Sequence, residues 1–200
     1  MKHIHLFSVI LFLSVAGGCM NEFDYRISNS VFIEDADNPG LPIYSEKGYN
    51  SFGVYWGLLP LTTKWLHDPS KVVVENDSCH IFFSAATGSD DYTLKVSLPQ
   101  YLPSSYSGLI SLNGKSFDLS GEECAVALLY YTQPTELKIL NGSFTIKRAQ
   151  NMSIDREPES VVLSGTFSFK ATVDGELVAF SNGRFDMRFG EENFFYLQGS

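Results

Sequence analysis

Basic residues are scarce in this chain. Its 200 residues carry 14 Lys and Arg against 23 Asp and Glu, a formal net charge of −9. With no basic cluster to follow a phosphate backbone, nucleic acid is not an expected partner. An acidic surface is not drawn to anionic headgroups either, so membrane attachment would need another cause. Histidine is as sparse, and beyond residue 5 only His67 and His80 remain. They fall on different expected elements, which leaves a histidine metal site or a Ser-His-Asp triad without partners. There is no G-x-S-x-G, no H-E-x-x-H and no phosphate-binding glycine loop. No window shows a helical i, i+3, i+4, i+7 apolar stripe. No apolar run reaches the ~20 residues of a membrane-crossing helix. These absences point away from an enzyme, a cofactor or an α fold.

What is present begins at the N-terminus. Met1-Lys2-His3 is a short basic start, and Ile4 to Val15 is almost wholly apolar, the pattern of a secretory signal. "SVAGGC" then leads small side chains straight into Cys19. "VAGGC" resembles the lipobox of bacterial lipoproteins, in which the chain is cut before a cysteine that carries diacylglycerol. It has Ala16 where Leu is commonest. Residues 1–18 are thus expected to be a lipoprotein signal peptide and Cys19 the lipidated N-terminus; ordinary signal cleavage leaving a free thiol is the alternative. Several acyl chains, at about 0.8 kcal/mol per buried methylene, make a stable anchor. Of three cysteines, that leaves Cys79 and Cys124, either paired as in many exported proteins or separately buried as thiols.

Residues 19–48, acidic and broken by proline and glycine, read as a tether, and 49–189 as a single β domain. Strands are expected at 51–57, 71–75, 78–85, 92–98, 107–112, 115–119, 124–131, 135–140, 143–149, 160–172 and 176–189. Asn113-Gly114, Asn141-Gly142 and Asp174-Gly175 are dipeptides that favour two-residue hairpin turns. Counting outward from Asn141-Gly142 pairs Ile139 with Phe144 and Leu137 with Ile146 on one face. Lys138 then meets Thr145, and Glu136 meets Lys147, on the other.

From Asp174-Gly175, Ala171 faces Val178 and Phe169 faces Phe180. The apolar parity then slips before Phe185, Met187 and Phe189, so Asn182-Gly183 is expected to supply a β-bulge opposite Phe167. Gly165 then faces Phe185, and Leu163 faces Met187. The opposite face is left to Ser164, Thr166, Ser168, Lys170, Ser181, Arg184, Asp186 and Arg188, which reads as solvated. One wet and one apolar face over many antiparallel strands mean a β-sandwich, or alternatively a small lipocalin-like β-barrel. Eight prolines and uneven loops favour the sandwich.

The stretch from Gly142 to Ile146, Ser164 to Phe169 ("SGTFSF") and Ser181 to Asp186 ("SNGRFD"), with "NSFGVYWGLLPLTTKW" from Asn50 to Trp65, resembles a family. It is that of uncharacterised Bacteroidota lipoproteins carrying a domain of unknown function. The resemblance covers 142–189 well and 50–190 loosely. It implies an envelope location and a β fold, and no activity.

Other candidates weigh less. Asp35, Asp37, Gly40 and Glu46 fall at calcium-loop positions, but Pro39 stands where an oxygen ligand belongs; an acidic tether explains them better. The pairs Asp90-Asp91, Glu122-Glu123 and Glu191-Glu192 are adjacent, so in strands they would point to opposite faces. Tyr55, Trp56, Trp65, Tyr101, Tyr106, Tyr130 and Tyr131 are core residues or, if exposed, platforms for sugar rings. Residues 190–200, ending "ENFFYLQGS", are expected to be a C-terminal tail, native or engineered. The composite expectation is an outer-membrane lipoprotein, periplasmic or surface-facing, without enzyme activity, cofactor or metal. It would bind a protein or glycan; the rival is a carrier of a small apolar ligand.

Overall fold

Alternating apolar side chains build strands through nearly the whole described chain. The computed structural model describes residues 30–63, 69–135, 137–154 and 157–197. A small hairpin, β1 (Glu34–Asp35) and β2 (Asn38–Pro42), precedes β3 (Ser51–Trp56), β4 (Leu59–Thr62), β5 (Ser70–Glu75), β6 (Ser78–Thr87) and β7 (Asp90–Pro99). A 3₁₀ helix (Tyr106–Leu112) leads to β8 (Ser116–Asp118), β9 (Ala125–Tyr130) and β10 (Gln133–Pro134). Three long strands follow: β11 (Leu137–Ile154), β12 (Glu157–Val173) and β13 (Glu176–Phe189); a 3₁₀ turn (Glu191–Asn193) and β14 (Phe194–Tyr196) end the fold.

The protein is all-β. One continuous sheet runs β10-β9-β7-β6-β4-β3-β13-β12-β11-β8, with β5 beside β6 and β14 beside β5. Pairing is antiparallel except between β14 and β5. The sheet curls into two wings, joined where the single pair Thr62–Ala86 links β4 to β6. The wings face each other over one core, which is sandwich packing made from one sheet. The two ends of the order, β10 and β8, do not pair, so the described strands do not close a barrel.

Phenylalanine fills the space between the wings. Phe52 stacks on Phe83 at 5.2 Å between ring centroids, Phe144 on Phe185 at 5.0 Å, and Phe169 on Phe180 at 4.4 Å. All six are buried. Such pairs add about 0.5–1.5 kcal/mol each beyond their burial.

The β12–β13 register is the expected one. Asp174 (φ 49°) and Gly175 (φ 87°) make the tight turn. Ala171 pairs Val178, Phe169 pairs Phe180, Gly165 pairs Phe185 and Leu163 pairs Met187, with a shift between Phe167 and Phe169. The bulge is expected to put Gly183 in a backbone conformation that only glycine enters cheaply, and it does not. The left-handed residue is Asn182 (φ 54°). Gly183 is there for closeness: a Cβ on it would stand 2.6 Å from the Phe167 carbonyl oxygen.

Several expectations are corrected. Asn141-Gly142 makes no hairpin; β11 runs straight through it, pairing Ile139 with Ala171 and Asn141 with Lys170, with Leu140 as the extra residue. Gly142 serves close approach instead, since its Cβ would lie 2.3 Å from that of Phe169. A free hairpin satisfies one edge of each strand, whereas β11 pairs on both edges, with β12 and β8. The expected strand 107–112 is the 3₁₀ helix, whose buried Leu109 and Leu112 stand at i, i+3. Asn113-Gly114 turns that helix into β8.

Cys79 and Cys124 are free, buried thiols. Cys79 pairs Leu98 across the sheet, and the Ser97–Ala125 pair sets Cys124 beside Leu98 on its other side. The two cysteines are therefore two strand spacings apart, roughly 9.5 Å, beyond the ~7 Å Cα reach of a disulfide. Burial pushes both thiols up to about 12.

Residues 30–48 of the expected tether and Phe194–Tyr196 of the expected tail are built into the fold; residues 19–29 and 198–200 lie outside the described residues. Residues 30–48 lie on the outer face of β13 as a strap, with Leu41 fully buried. Asp186, also buried, accepts N–H bonds from Lys47 (3.1 Å), Gly48 (2.8 Å) and Tyr49 (3.1 Å) and a hydroxyl bond from Ser164 (2.8 Å). Arg184 pairs with Asp35, and Arg188 donates to the Gly48 carbonyl at 3.0 Å. This face, expected to be wet, is roofed at Ser164, Arg184, Asp186 and Arg188. At the other terminus β14 extends the sheet beside β5.

Candidate functional site

Cys19, Trp65 and His67 lie outside the described residues. His80 is structural: its Nδ1 bonds the Ser97 hydroxyl at 2.8 Å. Burial, then Lys95, holds its pKa below the usual histidine value. The calcium-loop residues are engaged locally. Asp35 accepts from the Asp37 amide (3.0 Å) and Asn38 (2.8 Å), Glu34 from the Gly40 amide, and Glu46 from the Tyr44 hydroxyl. Among the described residues no three His, Cys, Asp or Glu side chains converge as a metal site. Glu122, Glu123, Glu191 and Glu192 are exposed on loops or the 3₁₀ turn.

The aromatic candidates divide. Trp56 packs into the core, stacked on Phe180 at 5.7 Å and edge-on to Tyr92 at 5.0 Å. Tyr55 ties down the strap by donating to the Pro39 carbonyl. Tyr101 holds the 3₁₀ helix at Gly108, and Tyr106 packs against the core. Tyr130 and Tyr131 are exposed, in ring contact at 4.7 Å, and Tyr130 also touches Tyr92.

Those two tyrosines belong to a larger surface. At the end of the molecule where β3 turns to β4 and β12 to β13, Leu58 is 94% exposed, Leu59 62%, Leu177 69%, Tyr130 41% and Tyr131 53%. They are joined through the fold: the Gly57 amide bonds Ala179, Trp56 pairs Leu59, and Trp56 reaches the tyrosines through Tyr92. Exposed Asp91, Asp174 and Glu176 and half-buried Asp90 surround them. The chain enters the described fold at the opposite end, where the Val31 amide bonds Tyr49 and Asn50 bonds the backbone of Arg188. Along β13 that is roughly 34 Å from Leu177, at the strand rise.

Concave sites lie elsewhere as well. A trough of about 400 Å³ on the outer face of β11–β13 is lined by Tyr44, Ser143, Lys147, Thr166, Phe167, Ser168, Asn182, Gly183 and Arg184. A mainly apolar cleft of about 260 Å³, lined by Leu98, Tyr101, Leu112, Lys115, Phe117 and Glu123 among others, lies between β8, the 3₁₀ helix and the end of β7. The sequence reading found neither the trough nor the cleft. One signal for the trough was in plain view, since parity slips between Ile146 and Ala149, as it does between Phe180 and Phe185.

No family model matches the chain, and neither curated proteins nor solved structures give a significant match.

Proposed function

We propose that this protein is a non-catalytic, lipid-anchored lipoprotein of the outer membrane that presents its turn-bearing end to a protein partner. The exposed cluster of Leu58, Leu59, Leu177, Tyr130 and Tyr131 carries the reading. Large apolar side chains left exposed together at one end of a fold mark interaction surfaces. An anchor at Cys19 would join the fold at its far end, so the cluster faces away from the membrane that holds it. The acidic rim selects a partner with basic residues around an apolar centre, because complementary charge guides encounter and fixes register. The "VAGGC" segment supports the anchor, and the Phe-filled space between the wings favours a binding surface over an interior carrier.

The test uses the anchored protein in cells, with a photo-crosslinking residue at Leu58 or Leu177. One discrete adduct is expected, lost when Asp91 and Glu176 are both replaced by Lys. No adduct, or one indifferent to that charge reversal, would sink the docking surface. Cys19→Ala tests the anchor separately. It should release the protein from the membrane fraction or leave it unprocessed, and a cleaved variant that still fractionates with membranes would end that half of the proposal.

A further inference from the structure

The trough on the outer face is walled by two β-bulges, and bulges re-aim side chains at functional sites. In β11 the register shifts between Ile146 and Arg148, leaving Lys147 as the unpaired residue. Consecutive Lys147 and Arg148 are consequently both exposed, while Ile146 and Ala149 stay buried. In β13 the second bulge sets Asn182 and Gly183 on the opposite wall. Gly183 packs directly on Phe167, whose carbonyl oxygen a Cβ would approach to 2.6 Å, and both residues line the trough.

Between the walls the sheet offers hydroxyls. Ser143 pairs with Ser168 across β11 and β12, roughly 5 Å apart at Cβ, comparable to the width of a pyranose ring, and Thr166 lies beside them. No carboxylate lines the trough, on a chain with 23 acidic residues. Arg184 is neutralised by Asp35. Lys147 lies over the Tyr44 ring at 4.9 Å and makes no ion pair with the described residues. One uncompensated cation, paired hydroxyls and an amide match a ligand with one carboxylate among many hydroxyls.

We infer that this trough binds an acidic saccharide, with Lys147 receiving the carboxylate and Ser143, Ser168 and Asn182 the ring hydroxyls. The site lies on a different face from the proposed docking end, and either can fail without the other. The test is calorimetric titration of the full mature protein in detergent with trigalacturonate, maltotriose and inorganic sulfate. Trigalacturonate should bind, maltotriose at least tenfold more weakly, and sulfate weakly. Losing one charge-assisted contact corresponds to about ten- to a hundredfold, so Lys147→Gln should weaken trigalacturonate by at least tenfold. Lys170→Gln, outside the trough, should leave it unchanged, and Lys147→Gln should not alter crosslinking at Leu58. Equal binding of all three probes, sulfate binding as tightly as trigalacturonate, no binding, or indifference to Lys147→Gln would each overturn the assignment.

Discussion

The two faces of β12 and β13 hold their neighbours by different physics. The inner face is aromatic: Phe167, Phe169, Phe180 and Phe185 pack against one another and against Phe52, Phe83 and Phe144 from the rest of the sheet. Its attraction is non-directional and grows with the area buried. The outer face is polar and just as covered along the strap, but there one carboxylate, Asp186, gathers three successive amides and a hydroxyl. Ring contacts tolerate small displacements, whereas those bonds depend on direction and distance. A strand can therefore be buried on both sides while its sequence alternates as though one side were wet.

The contrast can be broken from either face. The largest loss is expected for Phe185→Ala, which removes a ring stacked on Phe144, near Phe83 and covering Gly165. About 4 kcal/mol should be lost, read from the denaturant midpoint, and near-UV circular dichroism should weaken. Asp186→Ala should cost about 3 kcal/mol, because buried donors are left without an acceptor. Its signature is local: amide exchange at Lys47, Gly48 and Tyr49 should accelerate while the aromatic signal persists. Equal loss of both signals would show that the two faces are one cooperative unit.

Smaller changes sharpen the distinction. Gly183→Ala should cost about 2 kcal/mol by overpacking against Phe167, and Asn182→Ala about 1 kcal/mol by left-handed backbone strain. The reverse order in equilibrium unfolding would return the strain to the glycine. Least of all is a pH effect at the strap. The Asn38 hydrogen bond, then the Asp37 amide and Arg184, hold the Asp35 carboxyl below its ordinary 3.8. A lowered folded pKa stabilises above the unfolded value and is lost as pH falls through the folded one. Asp35→Asn should therefore flatten the stability profile below about pH 4, with its loss relative to the parent fully present near neutrality and vanishing at low pH.

What the sequence revealed follows the same division. The parity slip between Phe180 and Phe185 required an inserted residue, and the register from Leu163 to Met187 followed by counting. Counting failed at Asn141-Gly142 because that dipeptide serves tight turns and close approaches equally well, and only the neighbouring strands decide between them. The strap was hidden for a sharper reason. Asp186, Ser164 and Arg188 have the composition of a solvated face, and no local pattern announces that residues 30–48 return to cover them. The trough was half legible, since the slip at Lys147 is visible in "TIKRA", but the second wall comes from a distant strand. Leu58 and Leu59 fall between expected strands and Leu177 beside the Asp174-Gly175 turn, and apolar sequence carries no mark of being left uncovered.

The strap has one more consequence, for timing. Gly48 is held by a residue 138 positions later in the chain, and β3, already beside β4, finds its second neighbour only in β13. Contacts so remote in sequence form slowly. As the polypeptide emerges from its first residue onward, nothing it has yet made can seat the strap or flank β3 on that side. The beginning of the protein must wait for its end. Until the last twenty or so residues are released, the strap stays accessible to whatever enzymes act on it, and only then does folding seat it on β13.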